Sequence, residues 1–256
     1  MRHPSTRLGP RFFRWHRWLA YVVALQVLAW VLGGLVFAWV PFQGWVKGKD
    51  WVDTPRQALP LDWAQPLLRV AAVAAASAPP LSMTSVATAQ GPAWRLRSAG
   101  GDTWWTADGE PLQAPDAAAV SRFAQSLYRG PGQIAQVQLL AEVPRRLGLV
   151  RELGEKKNVW QARFDDALQT RVYVDARSGE LLAVRTEAWV LYDFFWRLHV
   201  MDYSEGEDFN NPLLRAASIA AVALVLTGSV LVTLSLGRTW RRRRAHRASD
   251  RAVVRP

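Results

Sequence analysis

The sequence predicts a membrane protein of α+β class, in which two transmembrane helices flank an extracytoplasmic domain of helix plus antiparallel sheet. Three observations carry this. Trp18–Val40 holds 23 residues without a charged side chain, and Leu213–Leu236 is a second apolar run. Basic residues crowd the outer flank of each run. Between them lie alternating segments separated by Gly and Pro, the pattern of short strands and turns.

The charge distribution decides between a membrane reading and a nucleic-acid reading of the +11 formal charge. Residues 1–40 hold five Arg and no acid; residues 41–212 hold 18 basic and 20 acidic side chains; residues 213–256 hold nine Arg and one Asp. The excess therefore lies in the two flanks, and the middle is nearly neutral. Lys and Arg beside span ends set orientation, which places both termini in the cytoplasm of a bacterial inner membrane and the middle in the periplasm. The bilayer is the expected partner, and nucleic acid is not. The chain has no cysteine, which excludes thiolate catalysis, cysteine-ligated metals and covalent c-type haem.

In chain order, Met1–Arg17 is a basic arm. Trp18–Val40 would rise roughly 34 Å as a helix, enough for a hydrocarbon core of about 30 Å. The bulky exit Phe37-Ala38-Trp39-Val40-Pro41 argues for a retained anchor over a cleaved signal, whose apolar region is shorter and ends in small residues. Trp15, Trp18, Trp39 and Trp45 bracket this span, and Trp196 and Trp240 the second, as interfacial belts do. Small residues at four-residue spacing (Ala29/Gly33, Gly34/Ala38, Ala216/Ala220, Ala217/Ala221) either pack helices closely or reflect ordinary span composition.

Phe42–Leu61, with Pro55 and Pro60, reads as a linker opening the domain at 41–212. Asp62–Ala76 reads as a helix, ended by Pro79-Pro80. Ser82–Ala89, Ala93–Ser98 and Thr103–Ala107 read as strands, with a turn at Gly100-Gly101 and another at Asp108-Gly109. Asp116–Arg129 reads as a helix capped by Asp116, with Gly130 beyond its end. Ile134–Val143, Val159–Phe164, Thr170–Val174 and Glu180–Arg185 complete the strands. Helix then hairpins thus occurs at 62–113 and again at 115–186, by duplication or by chance likeness of hairpins. An aromatic approach at 189–211 leads to the second span at 213–236 and an Arg-rich tail at 237–256. Asn211-Pro212 suits a helix start.

Arg14-Trp15-His16-Arg17-Trp18-Leu19 opens the first span, Tyr173-Val174-Asp175 with Ser178-Gly179-Glu180 forms a hairpin, and Leu198-His199 with Met201-Asp202-Tyr203 precedes the second span. Together these segments resemble PepSY-associated transmembrane proteins, over roughly Arg11 to Gly237. The resemblance implies a membrane-anchored PepSY-like α+β domain with cytoplasmic termini. It also implies relatives that include four-span haem-carrying reductases of iron–siderophore complexes, partners of extracytoplasmic flavin-based electron transfer, and pro-segment inhibitors of peptidases. A two-span chain would complete a reductase-like core only with a homodimer or a membrane redox partner.

Four histidines are present. His3 and His246 lie in basic tails and read as solvated. His16 stands at the cytoplasmic edge of the first span and His199 near the outer edge of the second. Imidazole is a common axial ligand of haem iron, so both are candidate cofactor-binding and metal-ligating residues for haem b, one level at each face. The other reading is an interfacial imidazole bonded to headgroups or backbone. The acidic run Asp202, Glu205, Glu207 and Asp208 reads as a solvated turn; a hard-cation site is the alternative. Arg215 either snorkels to headgroups or pairs with Asp202 or Asp208. Arg241–Arg244 reads as an anchor on anionic lipid.

No His-Glu-x-x-His, Gly-x-Ser-x-Gly, Walker loop or dinucleotide fingerprint is present. The expected role is therefore electron transfer at or across the membrane, linked to iron or flavin reduction. The rival is a tethered, non-catalytic binding or regulatory module for an envelope peptide, a peptidase or a membrane complex.

Overall fold

The computed structural model describes residues 8–56, 58, 62–77, 80–204 and 206–253. His3, Pro60, Leu61, Pro79 and Glu205 lie outside the described residues, as do the side chains of Arg241–Arg244 and His246. The chain divides into two compact units, Met1–Gly34 with Phe195–Pro256, and Leu35–Phe194.

The first unit is built on two long helices, α1 (Leu8–Trp39) and α5 (Pro212–Val253). Their apolar stretches, Phe12–Trp39 and Pro212–Gly237, have mean hydropathies of 2.2 and 2.3. Val22 and Leu25 are each 76% exposed and Ile219 is 71% exposed. Apolar side chains so exposed along whole helices call for lipid as their solvent. Only one stripe of α1 turns inward: His16, Val23, Gln26, Trp30 and Gly33 are partly or fully buried at helical spacing.

Both helices outrun their expected limits. α1 begins at Leu8, so much of the basic arm is helical, and α5 continues through the Arg-rich tail to Val253. Arg and Ala are strong helix formers, so nothing local stops the helix where hydropathy ends. Asn211 caps α5 as expected, its Oδ1 accepting from Leu214 N–H at 2.8 Å, with Pro212 in the first helical position.

The aromatic approach to α5 is itself a helix, α4 (Glu187–Val200). Thr186 Oγ1 accepts from Trp189 N–H at 3.0 Å and caps its start. Met201, at φ +53°, ends it in the left-handed conformation common after helix C-termini.

In the second unit, α2 (Ala64–Ser77) precedes an antiparallel sheet β1-β2-β3 (Pro80–Thr88, Gly91–Ser98, Gly101–Thr106). Then α3 (Ala117–Leu127) precedes the antiparallel sheet β4-β5-β6-β7 (Ile134–Glu142, Lys157–Phe164, Arg171–Asp175, Leu181–Arg185). These boundaries fall within two residues of expectation, because alternation and turn residues report local burial directly. Asp116 caps α3 through Ala119 N–H at 2.7 Å. α3 buries Val120, Phe123, Ala124 and Leu127 against Ala162, Phe164, Val172 and Val174, and Tyr128 stacks on Phe164 with ring centroids 3.8 Å apart.

The start of the expected linker is ordered. A single π-helical turn spans Phe42–Val46, and Val52 bridges antiparallel to Tyr128 and joins the core. The segment lacks a period because Val52 packs on Tyr128, far along the chain, instead of on a face of its own element.

Candidate functional site

His16 sits on the inward stripe of α1. Its Nδ1 is 2.9 Å from Thr227 Oγ1 on α5. Thr227 also places its hydroxyl 2.8 Å from Ala223 O and 3.0 Å from Leu224 O. A Cβ added at Gly228 would lie 3.1 Å from His16 Cε1, so glycine there makes room for the ring. The imidazole thus bridges α1 and α5.

His199 lies on the last turn of α4, ahead of the second span. Its ring stacks on Trp196 at 6.4 Å and faces Trp30 of α1 at 6.0 Å. Trp30 Nε1 donates to the His199 carbonyl at 2.9 Å, and Gln26 Nε2 donates to the Leu198 carbonyl at 2.9 Å. Asn211 Nδ2 adds a third donor, to Val200 O. The final carbonyls of a helix have no partners within it; here α1 and the α5 cap supply them inside an apolar setting.

Trp30 follows His16 by 14 residues on α1, roughly 21 Å along the helix axis. The two histidines therefore stand at separate levels. Among the described residues no three His, Asp or Glu side chains gather as a metal site. The donor chemistry of His16 suits haem iron, because a ring nitrogen fixed by a hydrogen bond leaves the other oriented. Among the described side chains, His16 and His199 are the histidines, one at each level.

In the acidic loop Glu207 and Asp208 are exposed, as a solvated turn requires, but Asp202 is not. Asp202 is 6% exposed and accepts five hydrogen bonds: from Ser204 Oγ and from the N–H groups of Ser204, Gly206, Glu207 and Asp208. The Ser204 hydroxyl and then the backbone donors hold its carboxyl well below the usual range. Buried Arg197 donates to Ser204 O at 2.7 Å, and Trp196 Nε1 to Gly206 O at 3.0 Å. With its oxygens consumed, Asp202 holds the loop and is not open to a cation. No ion pair joins Arg215 to Asp202 or Asp208 among the described residues, and Arg215 is exposed.

The second unit holds a buried polar cluster that sequence reasoning missed. Glu152, 2% exposed, accepts from Arg171 Nε at 2.9 Å and Nη2 at 2.5 Å, and from Tyr173 OH at 2.5 Å. Gln161 donates to Tyr173 OH at 2.7 Å, and Glu187 accepts from Arg171 and Arg146. Burial, then the Glu152 charge, pushes the Tyr173 hydroxyl up, and Arg146 and Arg171 hold the Glu187 carboxyl down. Arg171 and Tyr173 alternate with Val172 and Val174, so the strand was visible. Nothing marked loop residue Glu152 as their partner. The cluster is closed and satisfied, and its work is to pin that loop to the sheet.

A cavity of about 590 Å³ opens in the same unit, lined by Lys49, Arg56 and Arg129 with Asp53, over Phe123 and Leu127.

A family model described as the PepSY-associated TM region matches residues 13–253. The chain belongs to the PepSY-associated transmembrane family. No curated protein and no solved structure matches it. This PepSY-associated protein is a membrane protein whose two apolar helices contact lipid and flank an α+β middle.

Proposed function

We propose that this PepSY protein supports electron transfer at or across a bacterial inner membrane, linked to iron–siderophore or flavin reduction. His16 and His199 are its haem ligands, each level being completed by a second copy or a membrane redox partner. The observation that supports this is His16, oriented by Thr227 within two apolar helices. Bound haem would supply one-electron chemistry; the chain's own residues orient imidazole and exclude water. The arginine-rich flanks support cytoplasmic termini and a periplasmic second unit.

The test is visible absorption of the detergent-purified protein before and after dithionite. A Soret band that shifts on reduction, and is lost in His16→Ala or His199→Ala, is the expected result. A colourless, folded preparation from haem-replete cells overturns it.

A second reading, a tethered non-catalytic module for an envelope peptide or peptidase, is supported by the cation-lined cavity of the second unit. Capture of an acidic peptide by the colourless protein, lost in Arg56→Glu, would favour it.

A further inference from the structure

We infer that Thr227 and Gly228 are positioning residues for His16, setting its tautomer so that Nε2 is the nitrogen offered to a ligand. This rests on the reading of His16 as a metalloporphyrin ligand, but its physical content is separable from haem itself.

Thr227 has one hydroxyl proton and three neighbours within hydrogen-bond reach: Ala223 O, Leu224 O and His16 Nδ1. A carbonyl can only accept. In a helix, a threonine hydroxyl characteristically donates back to a carbonyl three or four residues earlier. With the proton so placed, Oγ1 presents only lone pairs to His16, and Nδ1 must carry the ring proton. The neutral imidazole then has its lone pair on Nε2. This is the arrangement that fixes metal-ligating histidines generally, with one ring N–H donated and the other nitrogen free to coordinate.

Gly228 acts beside it. The hypothetical Cβ lies 3.1 Å from Cε1, 3.8 Å from Nε2 and 3.9 Å from Nδ1, so the Cε1 corner between the two ring nitrogens passes directly over the glycine. Alanine there would displace the ring by some tenths of an ångström and break the 2.9 Å alignment with Thr227. Glycine at position 228 leaves room for the imidazole, the ring lying where a side chain's first carbon would press on it.

The test uses the full chain in detergent, with ¹⁵N-labelled histidine and no added haem. The His16 resonances are identified by their absence in His16→Gln and read at a pH where the ring is neutral. The expected wild-type pattern is a protonated Nδ1 and an unprotonated Nε2. Thr227→Val, which keeps shape and removes the acceptor, should give a mixed tautomer, and Thr227→Ser should restore the pattern. Ferric haem is then titrated into each variant. Thr227→Val and Gly228→Ala should weaken binding roughly 10- to 100-fold, with Thr227→Ser near wild type. An Nε2-protonated His16 in the wild type, or a tautomer unmoved by Thr227→Val, overturns the inference. Should the wild type take up no haem while the tautomer pattern appears as expected, the electron-transfer reading falls and the positioning of His16 stands.

Discussion

Tyr173 donates its hydroxyl to Glu152 Oε2 across 2.5 Å, with the tyrosine fully buried and the glutamate 2% exposed. The same carboxylate holds Arg171, so one loop residue neutralises a cation and accepts from a phenol within the sheet face. Removing a partner of a buried ion pair is far costlier than the pair is worth, because the other charge is stranded. Glu152→Ala should destabilise the protein by about 3 kcal/mol, the low end for such a loss, since Glu187 still serves Arg171. Tyr173→Phe should cost less, about 1 kcal/mol, because Glu152 keeps Arg171 as its partner. Thermal unfolding of the full chain in detergent measures both, and equal stability of the two variants would contradict the asymmetry.

Raised tyrosines give this fold an alkaline limit. Tyr173 is pushed up by burial and by Glu152; Tyr128 is pushed up to about 12 by burial and by its hydrogen bond to Asp166. A group raised above its unfolded value of about 10 stabilises fully below that pH, and its contribution is lost as pH climbs toward the folded value. Stability should therefore fall above about pH 10, with phenolate absorbance appearing together with unfolding. Ionisation of Tyr128 or Tyr173 well before the unfolding transition, read as the difference from the corresponding Phe variant, would count against this.

Asp202 sets an acid limit of opposite sign. Its depressed carboxyl contributes stability above the unfolded pKa of about 3.9, lost as pH drops through the folded value. Asp202→Asn should cost about 2 kcal/mol at neutral pH, because an amide cannot accept all five bonds. It should also flatten the acid limb of a melting-temperature series. An unchanged acid limb in the variant would show that other carboxylates control it.

Gln26 and Trp30 tie α1 to the end of α4 by single hydrogen bonds. Gln26→Leu and Trp30→Phe preserve bulk and remove the donor. Each should cost about 0.6–1.7 kcal/mol, the range for hydrogen bonds between helices in lipid. Together they should sum less than additively if the α4 end shifts as one piece. Unfolding titrations of the single and double variants in detergent check this.

Gly179 should tolerate no side chain. It holds φ +72°, and a Cβ would lie 2.5 Å from Gln90 Oε1 and 3.1 Å from Ala89 N. The β6–β7 turn docks there on β1 and β2, with Ala89 N–H donating to Gly179 O and Glu180 pairing with Arg95. Gly179→Ala should cost about 1–3 kcal/mol from backbone strain alone, and more from the contact. A melting temperature equal to wild type would refute it.

Much of the fold was legible because burial leaves a local record. The Asp116 and Asn211-Pro212 helix starts and all seven strands follow from residue types within a few positions of each boundary. The helical character of α4 was masked by its aromatic content, which reads equally as an interfacial belt. Asp202 looked like one of several solvated acids, since its burial depends on how five backbone and side-chain donors close around it.

By itself the sequence determined the two lipid-facing helices, the α+β middle and the identity of the two candidate histidines, because hydropathy, alternation and charge are properties of neighbouring residues. Only the tertiary structure decided what those histidines touch. Thr227 lies 211 residues from His16 and Trp30 lies 169 from His199. Such pairings are set by which helix faces pack together, and no local pattern encodes a partner that far along the chain.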